Sequence, residues 1–207
     1  MIILDFGSGN TCKNDKLYVK RMIDELKAVD NWKHNIIIKW QLFKRAGDNM
    51  PLEHNVFDYA YNYAKELGYE TTASVFDKES LEFLLGYNIP FVKLANRRSL
   101  DWLIGEVPRK ISIYISCGCE KEYAKYIGKY RLVSLSCVSK YPSDLKIYEC
   151  LFSGSSLCEA VSDHTCDWSL FKKYNPKIYE CHYCLDDSTR LDSGPFARRP
   201  NQLKEIL

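Results

Sequence analysis

The sequence predicts a single-domain (β/α)8 barrel, in which eight parallel strands, each followed by a helix, close into a ring. Short apolar or β-branched runs alternate with helical patterns along all 207 residues, the signature of βα units and a parallel sheet. The alternation repeats eight times, and no Pro/Gly/Ser-rich linker or low-complexity run divides it, so one domain covers residues 1–207. Barrels of this kind typically need about 250 residues, which makes this a compact example, with an open doubly wound sheet as the structural alternative.

The first strand is IILDF (2–6), an apolar run interrupted by an acid, and it leads to a helix over 16–29. NIIIKW (35–40) leads to a helix over 54–67, and TTASVF (71–76) to one over 78–86. FVKLA (91–95) precedes a brief helix near 99–105, ISIYIS (111–116) a helix over 119–128, and RLVSLSCVS (131–139) one over 143–152. EAVSD (159–163) and KIYECHYCL (177–185) complete the strands. A helix near 167–174 separates them, and a last one runs from 199, where Arg198-Arg199 reads as a solvated helix start.

A formal charge of +2 and a pI near 8.0 are too mild to require a nucleic-acid or membrane partner. MIILDF is too short and too acidic for a signal peptide or a membrane span, so a soluble, cytoplasmic protein is expected. The nine cysteines are odd in number and come without a secretory signal, which favours reduced thiols over a disulfide framework. Cys117 and Cys119, with Cys181 and Cys184 around His182, have no matching pair at zinc-finger spacing, and they read as small apolar residues. No GxGxxG and no GxxxxGK[ST] follows any strand, so the usual nucleotide cradles are absent, and Gly7-Ser8-Gly9 is a lone glycine-rich turn.

A barrel of this type carries its active site at the C-terminal strand ends. Those positions are polar: Asp5, Lys39, Gln41, Ser74, Lys93, Asn96, Ser116, Ser139, Tyr141, Ser162, Asp163, His164, His182 and Asp186. Lys39 and Lys93 each interrupt an apolar strand, where a charge is costly unless it meets an anion. A phosphate or carboxylate ligand would meet that need, and so would snorkelling to solvent or pairing with Asp5 or Asp186. His164 and His182 end separate strands, and if they converge their imidazoles are candidate metal ligands.

The order of these motifs resembles the catalytic barrel of the sialic acid (N-acetylneuraminate) synthases, which condense phosphoenolpyruvate with an amino-sugar aldehyde. IKWQ (38–41) stands where the family has VKFQ, ASVFD (73–77) resembles STPFD, KLAN (93–96) resembles KIAS, and ISCGC (115–119) is similar to LSTGM. CVSKYP (137–142) fits the family's CVSxYP, SDHT (162–165) is identical to its SDHT, and ECHYCLD (180–186) looks like EKHFTLD. The resemblance implies that His164 and His182 hold a divalent metal, manganese in the family, with magnesium or cobalt as substitutes. It also implies that Lys39, Lys93, Ser116, Ser139, Tyr141 and Ser162 grip phosphoenolpyruvate, with Ser74 as a further donor. By the same resemblance Asn96 lies in the substrate pocket, Gln41 and Asp186 face the sugar, and Asp5 replaces the glutamate of AEIGxNHxG as the proton-handling group. Carbon 3 of phosphoenolpyruvate would attack the aldehyde, water would add at carbon 2, and phosphate would leave, yielding a 2-keto acid in carbohydrate biosynthesis.

The departures fall on the acceptor side. Gly9-Asn10-Thr11-Cys12 replaces NHxG, Asn96-Arg97-Arg98 replaces SGE, and Gly194-Pro195-Phe196-Ala197 replaces GPDH. The family's C-terminal antifreeze-like domain, which lends an arginine to the partner subunit, is not in these 207 residues, although a homodimer is compatible with the barrel. The expectation is a retained donor site and an altered, more acidic or smaller acceptor. Two alternatives stand beside it: an inactive barrel serving as a binding or regulatory protein, and a lyase using Lys39 or Lys93 as a Schiff base.

Overall fold

Eight parallel strands pair in chain order and close on themselves, β8 returning to β1. The computed structural model describes residues 1–44, 47–118, 123, 125–152, 159–188 and 191–207. The strands are β1 (Ile2–Gly7), β2 (Ile36–Leu42), β3 (Glu70–Val75), β4 (Phe91–Leu94), β5 (Ser112–Cys117), β6 (Arg131–Cys137), β7 (Ala160–Asp163) and β8 (Ile178–His182). The helices are α1 (Gly9–Cys12), α2 (Lys16–Val29), α3 (His54–Glu66), α4 (Lys78–Leu84), α5 (Leu145–Phe152), α6 (Ser169–Tyr174) and α7 (Pro200–Leu203), with a 3-10 helix at Arg98–Gly105 after β4. No helix among the described residues is long and apolar enough to cross a membrane.

Successive side chains on a strand face opposite sides, and this decides what fills the barrel. Ile3, Ile37, Phe91 and Leu135 pack together as its floor, with Tyr114, Ala160 and Ile178 against them. Two residues further along the same strands come Asp5, Lys39, Lys93, Cys137, Ser116, Ser162 and Glu180, all buried. The intervening residues, among them Leu4, Ile38, Trp40, Val92, Val161 and Tyr179, face outward into the larger core shared with the helices. α2 contributes Val19, Met22, Ile23 and Leu26 at helical spacing, and its N-terminus is capped by Asp15, whose side chain accepts from Leu17 N–H.

The strands and the first three long helices fall where the sequence places them, and the differences are local. Of the helix expected over 119–128, residues 119–122 and 124 lie outside the described residues, and the chain at 127–130 forms a turn closed by an Ile127–Tyr130 bridge. The last helix spans only Pro200–Leu203. α1 was not expected: Ser8 caps it by accepting from Asn10 N–H, and the turn before it depends on Gly7, whose φ is +75°. Gly9 is equally constrained, since a Cβ there would stand 2.4 Å from the Pro51 carbonyl oxygen.

Arg198 corrects the expectation of a solvated helix start: it is fully buried. Its guanidinium donates to Asp163 Oδ2 at 2.9 Å, to Thr165 O at 2.7 Å and to Phe196 O at 3.0 Å, and it stacks over Trp168 at 4.7 Å. Its backbone N–H donates to His182 O at 2.7 Å, so one residue fastens the C-terminal ends of both β7 and β8. Breaking a buried pair leaves an uncompensated charge, and Arg198→Met is expected to lose about 3–5 kcal/mol in urea unfolding. The exposed pair Lys177–Glu159 is the control: Lys177→Met should change stability by no more than about 0.5 kcal/mol.

Candidate active site

The C-terminal ends of the strands surround a cavity of about 580 Å³ with Lys39 and Lys93 at its base. Lys39 Nζ lies 2.6 Å from Asp5 Oδ2, 3.0 Å from Ser74 Oγ and 3.5 Å from Glu180 Oε1. Lys93 Nζ donates to Ser116 Oγ at 2.6 Å and to Leu94 O at 3.1 Å, and Glu180 Oε2 stands 3.5 Å away. Glu180 therefore lies between the two ammonium groups. Burial works against the charge on Lys39, but Asp5 and Glu180 outweigh it and hold the group above its ordinary range. For Lys93 burial wins: Glu180 offsets only part of it, neighbouring Lys39 adds repulsion, and the pKa falls below that of an ordinary lysine.

Asp5 also accepts from Gln41 Nε2 at 3.0 Å and from Gly7 N–H at 2.9 Å. Burial alone would raise its pKa, but Lys39, His182 and the Gly7 donor hold the carboxyl well below the usual carboxylate range. Position 5 is thus an ionised acceptor at neutral pH.

The two histidines converge, their ring centroids 5.5 Å apart. Burial, followed by the repulsion of His182, pushes His164 down to about 3, so its imidazole is neutral. His164 Nδ1 lies 2.7 Å from Val138 O, and because a carbonyl only accepts, the proton sits on Nδ1 and the Nε2 lone pair is left for a ligand. Tyr148 fixes this strand end by donating to Ser162 O at 2.7 Å and accepting from His164 N–H at 3.2 Å. His182 Nδ1 is buried without a hydrogen-bond partner among the described residues, with Asp5 Oδ2 3.9 Å away. No group of three or more His, Cys, Asp or Glu placed to hold a metal ion together occurs among the described residues. The donor set fits a divalent cation held by two imidazoles, its other positions left to water and oxygen ligands as in catalytic sites.

Every expected site residue except Asp163 and Asp186 lines this cavity, Asp163 being turned outward to Arg198. Asp186 is exposed in the turn after β8, because the strand ends at His182 and the chain then pairs with the Arg198 segment. Lys39 takes the pairing alternative with Asp5, not with Asp186. Asn96 donates to Ser139 Oγ at 2.9 Å, and Tyr141, half exposed, packs its ring 4.0 Å from that of His164. Of the cysteines, Cys12, Cys117, Cys137, Cys181 and Cys184 are buried, Cys150 and Cys166 are exposed, and Cys119 and Cys158 lie outside the described residues.

Sequence reasoning missed Glu180, Asn49 and Asp192. Glu180 was within reach, since it precedes His182 by two on the same strand and must share its face. Asn49 and Asp192 carry no such signal: loops fold over the rim and bring them in. Asn49 is placed by Asn10, whose Nδ2 donates to its Oδ1 at 3.0 Å.

A closed parallel barrel with its ionisable groups gathered at the C-terminal strand ends is the architecture in which barrel enzymes carry their active sites. This chain belongs to the NeuB family, whose model matches residues 11–207. Asp5 lies just upstream of the matched stretch. N-acetylneuraminate-9-phosphate synthase of Drosophila melanogaster is 25% identical over 169 residues, covering 70% of this chain and 44% of its own length. The chain thus spans under half of that relative. Among solved structures, the N-acetylneuraminic acid synthetase of Leptospira borgpetersenii superposes over 99% of this chain and 80% of its own with a TM-score of 0.79 at 22% identity. A truncated 3-deoxy-D-arabino-heptulosonate 7-phosphate synthase from Thermotoga maritima does so over 99% and 83%, with a TM-score of 0.65 at 10% identity. At those identities the two structures speak to the fold.

The depressed pKa of Asp5 sets a pH dependence. Between its folded value and the unfolded value of about 3.9, the unfolded chain binds more protons, so stability rises with pH across that window. The Asp5 contribution is present above about pH 4 and is lost on further acidification. In denaturant unfolding between about pH 4 and pH 2.5, Asp5→Asn is expected to show a shallower decline than wild type. Parallel declines would contradict the ion pair.

Proposed function

We propose that this chain condenses phosphoenolpyruvate with an aldehyde to form a 2-keto acid. The observation that carries the reading is the pair Lys39 and Lys93, buried side by side beneath a ring of serine hydroxyls. Ammonium groups and hydroxyls converging on one cavity suit a small ligand carrying both phosphate and carboxylate. The likeness to the Drosophila N-acetylneuraminate-9-phosphate synthase and to the Leptospira synthetase supports the same class of reaction.

Carbon 3 of phosphoenolpyruvate bonds to the aldehyde carbon, whose oxygen takes up a proton and becomes a hydroxyl. Water adds at carbon 2 and loses its protons as the C–O bond to phosphate breaks, so that one water is consumed and inorganic phosphate leaves with the bridging oxygen. Lys39 and Lys93 neutralise the donor and hold it within bonding distance. Asp5, ionised and next to Lys39, is placed to orient the attacking water by accepting a hydrogen bond from it, while its depressed basicity leaves the proton to the departing phosphate.

His164 and His182 would hold a divalent cation, manganese in our reading, which when bound supplies Lewis acidity to the aldehyde oxygen. Charge balance supports that cation. Lys39, Lys93 and Arg97 face Asp5, Glu180 and Asp192 in the cavity wall, so the lining side chains alone offer a multiply charged anion little net attraction. The acceptor differs from a neutral amino sugar in our reading, because Arg97 stands at the mouth and favours an anionic group.

The test is phosphate release from phosphoenolpyruvate with N-acetylmannosamine and its 6-phosphate, with and without manganese. Release is expected to require both the aldehyde and the ion, to be faster with the phosphorylated aldehyde, and to fall at least a hundredfold in Lys39→Met. Wild-type release that ignores the aldehyde would overturn the reaction. Equal rates with both aldehydes, unchanged in Arg97→Ala, would overturn the acceptor assignment.

The depressed pKa of Lys93 favours a second reading, in which its amine attacks a carbonyl to form a Schiff base. Borohydride reduction with pyruvate separates the two. A covalent adduct on Lys93 in the mass spectrum would support a lyase, and an unmodified lysine is expected for the synthase.

A further inference from the structure

His164 follows β7 directly, yet its polar groups are held by a different part of the chain. Its backbone N–H donates to the Tyr148 hydroxyl at 3.2 Å, its carbonyl accepts from Ser143 N–H at 2.8 Å, and its Nδ1 donates to Val138 O at 2.7 Å. All these partners lie within residues 138–148, which run from the end of β6 into α5. The ladder between β6 and β7 stops at Cys137 and Ser162, so strand pairing does not reach the histidine. Its aim is set by the segment beside it.

Within that segment Tyr148 is the residue that acts through its side chain. It is fully buried, its ring 6.0 Å from that of Phe152, and it does not line the cavity. A hydroxyl can donate and accept at once, and this one spends both capacities on the same strand end, donating to Ser162 O at 2.7 Å while it accepts from His164 N–H. It also meets the backbone of Val138, whose carbonyl receives the imidazole. Ser162 and His164, two residues apart, both line the cavity. Phenylalanine at position 148 would fill the same space, but the buried His164 N–H would lose its partner and the peptide that carries the imidazole its anchor.

We propose that Tyr148 is a positioning residue for the histidine pair: its hydroxyl holds the His164 backbone so that Nδ1–H stays on Val138 O and Nε2 is presented as a ligand. The assignment rests on the reading of His164 as a cation ligand, and it adds the group that aims that ligand. An imidazole turned over, with its proton on Nε2, has no lone pair there to offer. Arg198 holds the end of β7 in place from outside, and Tyr148 fixes how the histidine beyond it is turned. Tyr148 itself touches no ligand.

The test compares wild type with Tyr148→Phe and with Tyr69→Phe, the latter removing another buried tyrosine hydroxyl, which donates to Asp30 Oδ2 at 2.9 Å before β3, at the opposite end of the barrel. Long-range ¹H–¹⁵N spectra of the metal-free protein read the His164 tautomer, and calorimetric titration reads manganese affinity. Wild type and Tyr69→Phe are expected to carry the His164 proton on Nδ1 alone and to bind manganese within about twofold of each other, whereas Tyr148→Phe should show mixed tautomers and bind about tenfold or more weakly. A purely structural role would lower the thermal midpoint of both variants and leave tautomer and affinity untouched, which would overturn the proposal. A wild-type proton on Nε2 would overturn it as well. If wild type binds no manganese, the cation reading falls and the tautomer in Tyr148→Phe alone decides: a mixture supports the positioning role, and an unchanged Nδ1 proton contradicts it. Should Tyr148→Phe not fold, 4-aminophenylalanine introduced at position 148 takes its place, since its amine can donate to Ser162 O but accepts poorly from His164 N–H, and the same outcomes decide.

Discussion

Two ammonium groups buried on the axis of a barrel are the constraint to which the rest of the chain answers. An ammonium ion taken out of water costs several kcal/mol unless anions and hydrogen-bond acceptors surround it. Here Asp5 from β1, Ser74 from β3, Ser116 from β5 and Glu180 from β8 converge on Lys39 and Lys93, which only a closed sheet permits. The apolar floor of Ile3, Ile37, Phe91 and Leu135 beneath them excludes water from below and leaves one open end. Polarity at that end is thus set by a single step of two residues along each strand.

The histidine pair depends on a different device. Asp163, one residue before His164, points away from the cavity into the outer core, where Arg198 meets it and also receives the backbone of β8 at His182. Ion pair and backbone bond together hold the ends of two neighbouring strands at a fixed separation, so the distance between the imidazoles is set from outside the site. A rigid supporting shell of this kind keeps metal and substrate ligands in place.

Much of this was legible in the sequence, because strand period and apolar floor are local properties. The stretches around Lys39, Lys93, His164 and His182 read correctly as strand ends, and α2 falls on Lys16–Val29 as expected. What was not legible depends on long-range closure. Arg198 looks like a surface residue beside Arg199 until the C-terminal segment docks on β8. Asp192 and Asn49 enter the cavity only because loops fold over Gly7 and Gly9, and Asp186 leaves it because β8 stops three residues earlier than its apolar run suggests. Glu180 is the instructive omission: the same alternation that located His182 assigns it to the cavity, and it turns out to join the two lysines.

Membership of the NeuB family and the lysine pair lead to the same reading of the donor site. The most direct measurement is calorimetric titration of phosphoenolpyruvate, in the presence of manganese, into wild type and into Lys39→Met with Lys93→Met. One site in wild type is expected, with binding weakened at least thirtyfold in the double variant, about 2 kcal/mol or more. Equal affinity in the two proteins, or no binding to a folded wild type, would contradict the assignment of these lysines as the donor site.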